Sequence, residues 1–148
     1  YEVEARKEDY IGEVCEGEVE YAGAGEEIYI QCCELMWNRY IATHENINPW
    51  TGSREDFFAE MPDLVAYVRV GDNVSCFAFV EEEEIAYVYG EDLQAFRSFS
   101  QQLVTELFQK NAFITFEADD CDEMAMELKS LFMNQDEESF DTYIMLKR

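Results

Sequence analysis

Apolar positions along the chain follow two rhythms. Between Glu26 and about His44, Ile30, Cys33, Trp37, Tyr40 and Ile41 recur at helical spacing and predict one helix. Asn46 to Gly52 reads as a loop, with turn signals at Asn48-Pro49 and Thr51-Gly52. Ser53 stands where its hydroxyl can accept the free N–H groups of a short helix over Arg54–Met61, which would bury Phe57, Phe58 and Met61 before Pro62-Asp63 stops it. Three strand-like runs follow, Leu64–Val70, Val74–Val80 and Ile85–Tyr89, parted by Gly71-Asp72-Asn73 and by Glu81–Glu84, and they predict an antiparallel meander. A long helix over about Asp92–Lys110 carries Leu93, Phe96, Leu103, Leu107 and Phe108 on one stripe. Ala112–Ala118 reads as a strand with Ile114 and Phe116 on one face. Asp122 caps a helix over Glu123–Met133 that turns Met124, Leu128, Leu131 and Phe132 inward, and Phe140–Leu146 is a closing strand.

The first stretch, Tyr1 to Gly25, breaks this regularity. Val3, Ala5 and Tyr10 set no firm period and Gly12, Gly17, Gly23 and Gly25 interrupt it, so it reads as a strand or short helix, a poorly defined N-terminal element of a single domain over residues 1–148. The rest predicts a mixed α/β (α+β) fold. Its sheet is mostly antiparallel, helices lie on both faces, and one parallel pair joins Ile85–Tyr89 to Ala112–Ala118, because a helix crosses between them.

Composition supports a packed core, since 48% of the 148 residues are hydrophobic. Charge narrows the function. With 34 acidic and 10 basic residues the net charge is 10 − 34 = −24, which repels nucleic acid and anionic membrane surfaces. Residues 1–74 hold 17 acids and 5 bases and residues 75–148 hold the same, so the charge is no tail. Three causes compete: a solubility habit, a docking surface for a basic partner, and mimicry of a phosphate backbone. Glu outnumbers Asp 24 to 10, which argues against salt adaptation. Five cysteines without a CxxC, beside the single His44, supply no zinc site and read as reduced, partly buried thiols of a cytoplasmic protein. No signal-peptide pattern and no apolar run of membrane length is present.

Several phrases carry a resemblance. "DLVAYVRVGDNVSCFAFV" (Asp63–Val80) is a strand pair around a tight Asp/Gly turn, "FITFEADDCDEMAMELKSLF" (Phe113–Phe132) is a strand and helix with Asp122 and Ala125 at recurrent positions, and "SFDTYIMLKR" is a closing strand. In these phrases and in element order, Glu26 to Leu146 resembles the GNAT superfamily of N-acetyltransferases. The resemblance implies acetyl-CoA bound in a splay between Ile85–Tyr89 and Ala112–Ala118, with the pyrophosphate at the N-terminus of the long helix. It implies Tyr87, Val88, Tyr89, Gln94, Arg97, Ser98 and Asp122 as cofactor-binding residues. Trp37, Tyr40 and Trp50 lie where the family binds its acceptor. Glu117 or Glu84 would take the ammonium proton, and Lys129 or Tyr143 would serve the departing thiolate. The segment "YGEDLQAFRSFSQQLVTEL" (Tyr89–Leu107) departs from the family's glycine-rich phosphate loop: Gly90 is its only glycine, and Glu91 and Asp92 put negative charge beside the expected pyrophosphate. Lys129 stands where many members carry a tyrosine.

Each candidate has an ordinary alternative: core packing for Trp37 and the strand aromatics, solvated acids for Glu84 and Glu117, a surface ion pair for Arg97, and a loop or cap for His44. Three functions remain open. One is acetyl-CoA-dependent N-acetylation of an amine, of a cationic small molecule or basic peptide. Another is an inactive GNAT-like binding module for a basic protein partner. The third is an acidic nucleic-acid mimic. The chain is expected to be a monomer or homodimer.

Overall fold

The computed structural model describes residues 2–14, 19–43, 53–119 and 121–133. Six strands form one mixed sheet: β1 (Glu2–Arg6), β2 (Glu20–Gly23), β3 (Leu64–Val70), β4 (Asn73–Glu81), β5 (Glu84–Gly90) and β6 (Phe113–Glu117), in the order β1-β6-β5-β4-β3-β2. Every neighbouring pair is antiparallel except β5 and β6. Helices α1 (Glu27–Thr43) and α2 (Arg54–Ala59) cover one face, where Tyr29, Cys33, Met36 and Phe57 pack on Val65, Phe77 and Phe79. Helices α3 (Leu93–Lys110) and α4 (Glu123–Lys129) cover the other, packing Phe96, Phe99, Leu103 and Leu128 on Ala66, Ala78, Val88 and Ile114.

Local chemistry explains most of the boundaries. The β3–β4 hairpin turns at Gly71, whose φ of +65° favours a residue without Cβ. Ser53 and Asp56 form a reciprocal capping box at α2, satisfying two backbone donors that helix geometry leaves over. Asp92 caps α3 through Ala95 N–H at 2.7 Å, and Asp122 caps α4 through the N–H groups of Met124 and Ala125. Strand β4 is buried from Ser75 to Val80, as a central strand covered on both faces must be.

Several details differ from the pattern-based expectation. The N-terminal stretch supplies two strands on opposite edges of the sheet. β1 pairs with β6 and β2 pairs with β3. Their anchors are distant in sequence: Glu106 on α3 accepts from Val19 N–H and from the Tyr21 hydroxyl, both at 3.0 Å, and Gln101 accepts from Glu13 N–H at 2.8 Å. On α1 the buried row is Tyr29, Cys32, Cys33 and Met36, while Ile30 and Ile41 are 51% and 41% exposed. Leu93 is likewise exposed, and α3 instead buries Phe99, Ser100, Gln101 and Val104, because β-sheet and α4 flank it on two sides. Helix α4 ends at Lys129, short of Met133. Beyond it the backbone is captured by the N-terminal stretch, with Ile11 N–H on Leu131 C=O at 2.8 Å and Met133 N–H on Asp9 C=O at 2.9 Å. The expected strand Phe140–Leu146 lies outside the described residues. Among those residues no helix is long and apolar enough to cross a membrane.

Candidate functional site

The parallel contact between β5 and β6 lasts for two residue pairs, Glu84 with Thr115 and Ile85 with Phe116. Beyond Ile85 the pairing stops, β6 itself ending at Glu117, and a cavity of about 270 Å³ opens beside the unpaired part of β5. A bulge contributes to its shape. Phe79 pairs with Tyr87 and Val80 with Ile85, so Ala86 is an extra residue in β5. Ile85 and Val88 thereby join the core under α3 and α4, while Tyr87 and Tyr89 turn toward α1 and α2. Strict alternation along Ile85–Tyr89 cannot reveal this, because a bulge shifts the face of every later side chain.

The cavity wall combines acids with two phenols. Glu60, Glu81, Glu84, Glu117, Asp119 and Asp122 line it together with Tyr40 and Tyr87, and among the described residues no lysine or arginine does. The carboxylates arrive separately: Glu60 just after α2, Glu81 and Glu84 from the β4–β5 turn, Glu117 from the end of β6, Asp119 and Asp122 from the link to α4. Among the described residues no group of three or more His, Cys, Asp or Glu side chains is arranged to hold a metal ion. Tyr40 and Tyr87 meet edge to face at 6.2 Å, and Phe57 packs against both rings at a tilt, at 5.2 and 5.4 Å.

This setting keeps both phenols protonated. Burial first, then the neighbouring Tyr40, Glu60, Glu117 and Glu84, push the Tyr87 hydroxyl up from 10.0 to about 12. Burial, then Asp119 and Glu117, also raise Tyr40. Because the folded value of Tyr87 lies above the unfolded one, its contribution to stability is complete below about pH 10 and is lost as pH rises through about 12. Urea unfolding at stepped alkaline pH should therefore show wild type losing more stability over that window than Tyr87→Phe. Equal slopes would mean that Tyr87 is not held in this environment.

Of the residues singled out from sequence, Glu84, Glu117, Tyr40, Tyr87, Val88 and Asp122 are brought together at this cavity. Others are elsewhere. No residue of α3 lines it, so Gln94, Arg97 and Ser98 sit apart, exposed on the first turns of that helix. Arg97 is engaged with Glu127 at 2.7 Å and Ser130 Oγ at 3.4 Å. Tyr89 stacks on Phe77 at 4.9 Å, with the Arg39 guanidinium over its ring. Trp37 packs edge-on against Phe57 at 5.2 Å. Lys129, at the end of α4, is not in the cavity wall. Trp50, Tyr143 and His44 lie outside the described residues. The acids that pattern reading passed over are Glu60, Glu81 and Asp119. Each sits at an element end, where nothing local distinguishes it from the other solvated acids of a highly acidic chain.

The start of α3 is tightly packed on its inner side and negatively charged on its exposed side. A Cβ on Gly90 would lie 2.7 Å from Phe96 Cβ and 2.9 Å from Met124 Sδ. The glycine is thus used for close packing of α3 and α4 over the end of β5. Glu91 accepts from the Ser75 hydroxyl at 3.1 Å, and Asp92 occupies the Ala95 N–H, so two carboxylates stand where an anion would have to come. Comparison with protein-family models, with curated proteins and with solved structures finds no match for this chain.

Proposed function

We propose that this chain is a GNAT-like binding module whose β5–β6 cleft holds a cationic group in place of acetyl-CoA. The observation that carries this reading is the cavity wall, which among the described residues holds six carboxylates and two phenols and no lysine or arginine. A polyanion such as CoA would meet like charge there and again at Glu91 and Asp92, whereas an ammonium or guanidinium gains from the carboxylates and from the faces of Tyr40 and Tyr87. Arg97, engaged with Glu127, is a poor phosphate ligand. Nucleic-acid mimicry is less well supported, because exposed acids occur on β1, α1, α2 and the start of α3, on both faces and at an edge of the sheet.

A second reading, acetyl-CoA-dependent N-acetylation of an amine, is favoured by one feature. The early end of β5–β6 pairing leaves a backbone edge of β5 open to an acyl group, and Tyr87, held as a phenol, could give a proton to a departing thiolate. Calorimetry separates the two. Spermidine at modest salt is expected to bind, with affinity falling as salt rises, and millimolar acetyl-CoA is expected to give neither heat nor thermal stabilisation. Saturable binding of acetyl-CoA would overturn the binding-module reading in favour of the enzyme.

A further inference from the structure

The cleft has a property that its charge does not explain. β5 continues to Gly90 and is paired to β4 along its other edge, but its pairing with β6 stops at Ile85. On the side of the divergence its main chain therefore presents N–H and C=O groups that no strand among the described residues pairs. Ala86, Tyr87 and Val88 are on this stretch, and all three line the cavity. Three residues of strand span about 10 Å, enough for a short extended segment to lie alongside.

Building on the cation-binding reading above, we propose that the occupant is an extended lysine- or arginine-rich peptide segment of a partner protein, added as a strand to the open edge of β5. Two independent features select it. The open edge selects an extended backbone, because only a main chain supplies donors and acceptors at strand spacing. The wall selects the charge. Side chains of a strand alternate in direction, so those turned toward α1 and α2 meet Glu60 and the rings of Tyr40 and Tyr87. Those turned the other way meet Asp122 at the start of α4, and Glu84 and Glu117 flank the entry where β5 and β6 part. The carboxylates do not converge into a cluster that could hold a metal ion, and their spread suits charges carried at intervals along a chain. A compact polyamine would use the acids and leave the strand edge unused. A second copy of this chain is a poor occupant, since it has 10 basic residues among 34 acidic ones.

The test uses the full chain and three probes of matched charge: a blocked pentapeptide alternating lysine with threonine, the same peptide with alternate backbone nitrogens methylated, and spermidine. The parent peptide is expected to bind about tenfold or more tightly than the methylated one, because methylation removes main-chain donors and keeps the charge. It should also shift the amide resonances of Ala86, Tyr87 and Val88, and Glu84→Gln with Glu117→Gln should weaken it at exposed positions that the fold does not need. If all three probes bind alike, or the peptide binds without moving those amides, strand addition is overturned and the cation-binding reading stands. If none binds at low salt, that reading falls and takes this proposal with it.

Discussion

Phe57→Ala is expected to destabilise the domain by about 3–5 kcal/mol, a large part of the roughly 5–15 kcal/mol that holds a domain of this size folded. Phe57 is fully buried and lies among Trp37, Tyr40, Phe58 and Tyr87, with ring centroids 5.2 to 6.3 Å away. Truncation removes the transfer energy of the ring and leaves a cavity that α2, six residues long, is too short to collapse into without losing its other contacts. The same ring is the floor under the two phenols of the cleft, so cation affinity should fall together with stability. Urea unfolding monitored by circular dichroism measures the first effect and calorimetry with spermidine the second. Phe57→Leu separates them, because it restores much of the volume and none of the ring contacts that hold Tyr40 and Tyr87, so it should recover stability more fully than affinity. A Phe57→Ala variant with wild-type midpoint would contradict the packing described for α1 and α2.

Gly90→Val is expected to cost about 3 kcal/mol, at the upper end of the range for overpacking. The Cβ alone would come within 2.7 Å of Phe96 Cβ and 2.9 Å of Met124 Sδ, and valine adds two methyl groups beyond it. Met124 can yield, since its sulfur is near the end of a flexible side chain. Phe96 Cβ cannot move without the first turn of α3, which Asp92 caps and Phe99 and Leu103 hold to the core. The helix must therefore shift, and α4 with it. A double-mutant cycle with Met124→Ala should show coupling, the pair being less destabilised than the sum of the single changes. Additive losses, or a neutral Gly90→Val, would mean that α3 and α4 do not close over the end of β5. If they do close as described, the lone glycine of this segment serves packing, and a phosphate-binding role for it loses its main support.

The contrast between these residues shows how far a one-dimensional reading reaches. Ser53 and Asp122 announce helix starts, and Gly71 a hairpin, because capping and turn chemistry involve atoms only a few residues apart. The apolar phase of α1 is not set locally. Ile30 and Ile41 fit a helical period as well as Tyr29, Cys33 and Met36 do, and only the position of the sheet decides which row is buried. The same holds for Leu93 on α3. Val3 and Ala5 show too short an alternation to declare a strand, yet pairing with β6 makes one of Glu2–Arg6.

By itself the sequence determined the element types from Glu27 to Lys129, most of their boundaries, and a chain too acidic to welcome a polyanion, since backbone hydrogen bonding, capping and formal charge depend on near neighbours or on composition. Only the tertiary structure decided that the N-terminal stretch supplies both edges of the sheet among the described residues, that Ala86 bulges and turns Tyr87 toward Tyr40, and that β5–β6 pairing stops after two residue pairs. It also decided that Glu60, Glu81, Glu84, Glu117, Asp119 and Asp122, distant in the chain, share one cavity. These are long-range outcomes. They follow from how helices and strands distant in the chain compete to bury the same faces, and no local period of 2 or about 3.6 residues encodes that competition.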